Sequence, residues 1–218
     1  MKVVRYEVRV RNAKGKVVLK RAFKLESRAL EYARKKLNGH RAVVIKRNVE
    51  RVESFRLLND WGNTTVRDAA PKPVATLVVH HSVTTQLSVN ASQAQEEGQM
   101  RVIQSIGYSR DLGGFPYGSA IFPSGEIYRG SGYGVVEAAT GGYNTPTDSV
   151  VLPGNYETFE MSDEQEETLV ALGKYLKAKG FLVKVNAAID PHSDYKATAC
   201  PGSKVRPRLA KIENRING

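Results

Sequence analysis

The chain has a single cysteine, Cys200, in 218 residues, so it can form no internal disulfide and nothing in it demands an oxidising compartment. No stretch approaches the ~20 apolar residues that a membrane-spanning helix needs. The N-terminus is basic and alternating and lacks the apolar core of a secretory leader, so synthesis without a Sec signal is expected. Histidine is scarce, with four residues, and tryptophan occurs once. Within residues 1–58 the aromatics are only Tyr6, Phe23, Tyr32 and Phe55, too few for a row of base-stacking platforms.

Charge is plentiful but unevenly spread. Residues 1–58 hold 18 Lys/Arg against 5 Asp/Glu, a balance of +13, and the remainder holds 15 against 17, a balance of −2, within a whole-chain charge of +11. Two modules with different partners are the simplest account. The seam is expected in a linker over 59–73, where Asn59–Thr65 and Ala69–Pro73 gather turn formers and prolines. In the first module, Val4, Tyr6, Val8 and Val10 alternate with Arg5, Glu7, Arg9 and Arg11, the two-residue period of a half-buried strand. Asn12–Gly15 supplies a turn and Val17–Phe23 the returning strand. Leu30, Ala33 and Leu37 then mark a helix over Glu26–Asn38, stopped at Gly39, and Arg41–Arg47 carries a final strand. The order is ββαβ, with lysines and arginines on the solvated faces.

The second module, 74–218, reads as mixed α/β. Val74–Ser82 is a buried strand, Ser92–Ser105 a helix broken near Gly107, and Tyr117–Pro123 with Glu126–Arg129 a hairpin around Ser124–Gly125. Ser149–Leu152 is a short strand. Ser162–Gln165 has the form of a capping box opening a helix that ends at Gly180, and Val205–Ile216 is a closing helix. Strands interleaved with helices predict a mixed central β-sheet flanked by helices.

Three of the four histidines and the sole cysteine fall in two short polar segments. The pair His80–His81 closes the apolar run Val74–Val79, and His192 precedes Cys200 by eight residues in Asp190–Gly202. Two imidazoles and a thiolate from separate segments form a ligand set that Zn²⁺ accepts, and three protein ligands leave a fourth position open for water. A lone cysteine is more often a small buried hydrophobe, and a strand-end histidine more often a satisfied core or surface residue. The conjunction is what favours a metal. His40, in the basic region, has no such surroundings and is given no role.

Several strings carry a family resemblance. Val78–Ser82 (VVHHS) and Pro191–Gly202 (PHSDYKATACPG) resemble the zinc N-acetylmuramoyl-L-alanine amidases, the type 2 amidase fold shared with peptidoglycan recognition proteins and many phage endolysins. Pro116–Gly130, Gly141–Thr145 and Pro153–Glu157 match that family's internal signatures in order. The resemblance spans about 74–215. It implies that His80, His192 and Cys200 ligate Zn²⁺, which would activate a water and polarise the scissile carbonyl. His81 would face the opposite side of its strand and shape the cleft. Tyr117 matches the active-site tyrosine of the family, with a half-buried strand tyrosine as the plain alternative. Thr198 stands where some phage members carry Lys and others Thr, and its hydroxyl could donate to an oxyanion. Asn144, Thr147 and Tyr156 are candidate groove contacts beside His81.

Two departures fall in the groove. Ala139 occupies a place where many members have His, and Arg129–Gly132 reads RGSG where Glu-Gly-Arg-Gly is common. The resemblance implies a peptidoglycan hydrolase, expected as a monomer: a phage endolysin made in the host cytoplasm and reaching the wall after holin-type release, with a prophage or bacterial autolysin as the alternative origin. The basic module would then dock an acidic wall polymer, ahead of mere surface charge and of nucleic acid. A recognition module without catalysis, and a nucleic-acid-binding or regulatory protein on the same scaffold, are the rival readings.

Overall fold

The computed structural model describes residues 3–11, 17–23, 41–49, 61–69, 76–180, 182 and 188–218. The chain divides into two compact units, 1–55 and 56–218.

In the first unit, β1 (Val3–Arg11), β2 (Val17–Phe23) and β3 (Arg41–Val49) form an antiparallel sheet in the order β2-β1-β3. The two alternating segments pair as a hairpin, Tyr6 opposite Phe23 and Val10 opposite Leu19, as the period-two pattern predicts. The predicted turn at 12–15 and helix at 26–38 lie outside the described residues.

The second unit is built on a five-stranded mixed sheet in the order β6-β5-β7-β4-β8, with β4 Thr76–His81, β5 Ser119–Ile121, β6 Ile127–Arg129, β7 Thr147–Leu152 and β8 Ala188–Pro191. Only β5 and β6 run antiparallel, as the hairpin turning at Ser124–Gly125; β5, β7, β4 and β8 are parallel neighbours. Leu77, Val78 and Val79 on β4, and Val150, Val151 and Leu152 on β7, are all fully buried. Consecutive strand residues point to opposite faces, so both faces of the sheet are covered, which is why these strands read as unbroken apolar runs.

Helices α1 (Gln93–Ser109), α2 (Asp163–Ala178) and α3 (Leu209–Asn217) provide that cover. Both α1 and α2 open on capping boxes, Ser92 with Gln95 and Ser162 with Gln165. Among the described residues no helix is long and apolar enough to cross a membrane.

Three expectations change. Helix α1 is not broken near Gly107 but runs on to Ser109; the glycine is there for space, since a Cβ would collide with the carbonyl oxygen of Gly114. The closing helix begins as a 3₁₀ turn over Arg206–Arg208, with Pro207 at its start, and becomes α-helical only from Leu209. Residues 61–69, expected as linker, belong to the second unit and pack into its core. Trp61 is 1% exposed, lies 5.5 Å ring to ring from Phe115, and donates its indole N–H to the Arg129 carbonyl at 2.7 Å. With Met100, Ile103, Phe122, Tyr128 and Val151 it forms a core cluster against which Tyr117 rests.

Candidate metal centre

Parallel pairing of β4 with β8 places their C-terminal ends side by side. Val79 is opposite Pro191, so His80 and His192 emerge together beyond the register. In open α/β sheets, ligands bind beyond the carboxyl ends of the strands. His192 opens a short 3₁₀ turn whose Ser193 N–H donates to the Cys200 carbonyl at 2.9 Å, drawing the cysteine back over the strand ends. The ring centroids of His80 and His192 are 4.3 Å apart. His80 Nδ1 lies 3.8 Å from Cys200 Sγ, and one donor atom each from His80, His192 and Cys200 falls within 4.8 Å of the others. The structure thus brings together the three residues expected as ligands.

The two histidines of the pair diverge, as strand alternation requires. The ring of His80 faces His192 and Tyr117, while Nδ1 of His81 accepts the backbone N–H of Tyr156 at 3.3 Å. His81 nevertheless enters the centre through its backbone, whose N–H donates to Cys200 Sγ at 3.2 Å. That contact needs no particular side chain, so no sequence pattern announces it.

Burial sets the electrostatics. It holds the pKa of His80 well below the ordinary imidazole range, helped by the nearby His192 and His81, and it lowers His192, with Lys196 and His81 adding to the effect. Both rings are therefore neutral and able to ligate. The same burial pushes the Cys200 thiol up to about 12, so a neighbouring cation is what would keep the sulfur as thiolate. Two neutral imidazoles, one buried and one half-buried, and a buried thiol that converge in this way fit a Zn²⁺ ion in ligand type and number.

Tyr117 sits just before β5 with its ring 5.1 Å from His80 and 5.9 Å from Phe115. Burial, then the Cys200 sulfur, raise its phenol above the ordinary value, so it keeps its proton. Its carbonyl accepts both the N–H and the hydroxyl of Ser131, each at 2.8 Å, which gives the unusual Ser131 a supporting task. Thr198 is exposed and its hydroxyl accepts the N–H of Cys200 at 3.2 Å, shaping the turn that presents the sulfur.

The other expected groove residues are occupied within the fold. Asn144 Oδ1 accepts the Thr140 N–H at 2.8 Å, a turn-forming role. Thr147 is buried and its hydroxyl donates to the Tyr143 carbonyl at 2.6 Å. Tyr156 is fully buried, its hydroxyl accepting from Gln165 Nε2 at 2.6 Å and donating to the Pro153 carbonyl at 3.3 Å. In this structure neither Thr147 nor Tyr156 has side-chain surface to offer a ligand.

Two features had no signal in the sequence. Thr140, 1% exposed, places Oγ1 3.3 Å from His80 Nε2. Behind it, Glu137 and Asp148 are both buried. The Ser149 hydroxyl donates to Glu137, the Gly134 N–H to Asp148 at 3.4 Å, and one oxygen of each carboxyl has no hydrogen-bond partner among the described residues.

Comparison with known proteins identifies the family and the fold. The family model described as N-acetylmuramoyl-L-alanine amidase matches residues 70–203. A peptidoglycan-recognition protein of Drosophila melanogaster is 26% identical over 168 residues, 72% of this chain and 85% of its own length. Among solved structures, the N-acetylmuramoyl-L-alanine amidase LysC from Clostridium intestinale superposes with a TM-score of 0.58 at 23% identity, covering 74% of this chain and 97% of that one. A variant of Drosophila PGRP-LB in complex with tracheal cytotoxin gives 0.65 at 24% identity, covering 72% and 92%. At such identities the superpositions speak for the fold: the mixed sheet flanked by helices is that of the amidases and peptidoglycan recognition proteins.

Proposed function

The chain belongs to the N-acetylmuramoyl-L-alanine amidase family, and from that premise we propose that it is a zinc-dependent peptidoglycan hydrolase. It would cleave the amide between the lactyl group of N-acetylmuramic acid and the first L-alanine of the stem peptide. The observation that carries this reading is the complete donor set of His80, His192 and Cys200 within 4.8 Å. A module that only recognised peptidoglycan would have no need of three converging metal ligands.

Bound there, zinc would supply a water of lowered pKa and a Lewis acid for the carbonyl oxygen. The protein's own groups do the rest. His80 and His192, kept neutral by burial, present lone pairs. Tyr117, kept protonated beside the Cys200 sulfur, holds a proton for the oxyanion or for the departing amine of L-alanine. Thr198, exposed at the rim, offers a hydroxyl but no charge.

The setting we propose is a phage endolysin released to the wall by a holin-type factor, which rests on the resemblance of the VVHHS and PHSDYKATACPG strings to such enzymes. Residues 1–58, with a balance of +13, would then hold the enzyme on acidic wall polymer.

The test is mass spectrometry of the products released from purified peptidoglycan by native, chelated and zinc-restored protein. Peptides with a free L-alanine amine, lost on chelation and regained with Zn²⁺, are expected. Binding without release by fully zinc-loaded protein would sink the hydrolase and leave a recognition module.

A further inference from the structure

We propose that Thr140 is a positioning residue for the metal centre: its hydroxyl accepts the Nε2–H of His80 and so leaves Nδ1 of that ring free to face Cys200 and a bound zinc. This rests on the zinc reading above.

A ligating imidazole is neutral and has one N–H, so one nitrogen must be the ligand and the other the donor. In His80 the geometry separates the two tasks. Nδ1 lies 3.8 Å from Cys200 Sγ, inside the ligand cluster, while Nε2 faces Thr140 Oγ1 at 3.3 Å. His80 and Thr140 are each only 1% exposed, so bulk water cannot replace this partner. The partner of the distal nitrogen decides which tautomer a ligating histidine adopts and how its ring is turned.

Thr140 is itself held from several sides. Its N–H donates to Asn144 Oδ1 at 2.8 Å, and its carbonyl accepts the Tyr143 N–H at 2.8 Å. Two residues earlier, the Ala138 N–H donates to the Pro116 carbonyl at 3.1 Å, and Glu137 receives the Ser149 hydroxyl from β7. The turn that carries Thr140 is therefore tied to the sheet bearing His80, and the hydroxyl arrives at a fixed place. This also gives Asn144 a purpose within the fold: it orders the turn.

The experiment compares Thr140→Val, which keeps the branched shape without the hydroxyl, with Thr140→Ser, which keeps the hydroxyl; Thr140→Ala serves if valine is not accommodated. Zinc dissociation constants are measured by chelator competition, and the His80 tautomer by long-range ¹H–¹⁵N correlation. Valine is expected to weaken zinc binding about 10–100-fold and serine by no more than about threefold, with the wild type showing Nε2–H. Wild-type zinc affinity and tautomer in the valine variant would overturn the proposal, as would a serine variant as weak as valine, which would mark a packing defect. A wild type that binds no zinc would overturn it together with the zinc reading. Zinc-loaded wild type that releases no stem peptide would refute the hydrolase alone, and the dissociation constants would still decide the role of Thr140.

Discussion

His80 Nδ1 and Cys200 Sγ approach to 3.8 Å although 120 positions separate them in the chain. Neighbouring His81, one residue on, turns its ring to the backbone of Tyr156 instead. The pair is therefore functionally asymmetric. His80→Ala or Cys200→Ser should abolish stoichiometric zinc and lower stem-peptide release by roughly a thousandfold or more. His81→Ala should retain bound zinc, because its contribution to Cys200 comes from the backbone N–H. Metal analysis of the three purified variants checks this, and loss of zinc from the His81 variant alone would reverse the assignment.

Tyr117 gives a second, separable outcome. Its ring lies tilted against His80, 5.1 Å between centroids, but it is not one of the three converging donors. Tyr117→Phe should leave zinc content and folding unchanged while lowering kcat about 10²–10⁴-fold, the usual worth of a positioned proton donor. A variant with normal turnover would reduce Tyr117 to packing against the Phe115 cluster.

The buried carboxyls predict how stability depends on pH. Burial raises Asp148 from an ordinary 3.8 to about 7, and burial with the Asp148 charge raises Glu137 well above its usual range. The folded protein thus binds these protons more tightly than the unfolded chain. The stability they allow is whole below about pH 4 and is lost as pH rises toward about 7. Asp148→Asn keeps an acceptor for the Gly134 N–H and carries no charge. It should match the wild type near pH 4 and exceed it at pH 8 by of order 4 kcal/mol, since a rise from 3.8 to about 7 spans about three units and each is worth about 1.4 kcal/mol. Denaturant unfolding at the two pH values reads the difference directly, and parallel stabilities would remove the buried charge from the account.

The legible part of the centre was the part that depends on side-chain identity. His80, His192 and Cys200 are rare residue types in two short segments, and the strand that carries His80 is an apolar run that only a doubly covered sheet explains. What sequence could not show depends on backbone and on the third dimension. The His81 N–H to Cys200 and the Ser131 contacts to the Tyr117 carbonyl require no distinctive pattern. Tyr156 and Thr147 sit in segments that match the family, yet the fold spends their hydroxyls internally. Gly107 reads as a helix breaker from propensity alone, but close approach of Gly114 is a tertiary demand that overrides it.

Trp61 shows the same limit near the start of the second unit. Turn formers around it suggested a linker, yet the chain's only tryptophan is buried to 1% exposure and its indole bonds to the carbonyl of Arg129 at the end of β6. Arg101 of α1 returns a hydrogen bond to the Trp61 carbonyl at 3.1 Å, and Gln104 accepts the Thr64 N–H at 3.0 Å. Residues 61–69 therefore close the core that supports Tyr117, although the family match begins only at residue 70. Trp61→Ala should cost about 3–5 kcal/mol, near 10 °C in Tm for a unit of this size. Because Phe115 and Tyr117 lean on the same cluster, activity should fall at temperatures well below the new midpoint. Thermal unfolding of the variant, with turnover followed on the same ramp, decides it: a loss under about 1 kcal/mol would make the segment an appendage to the core.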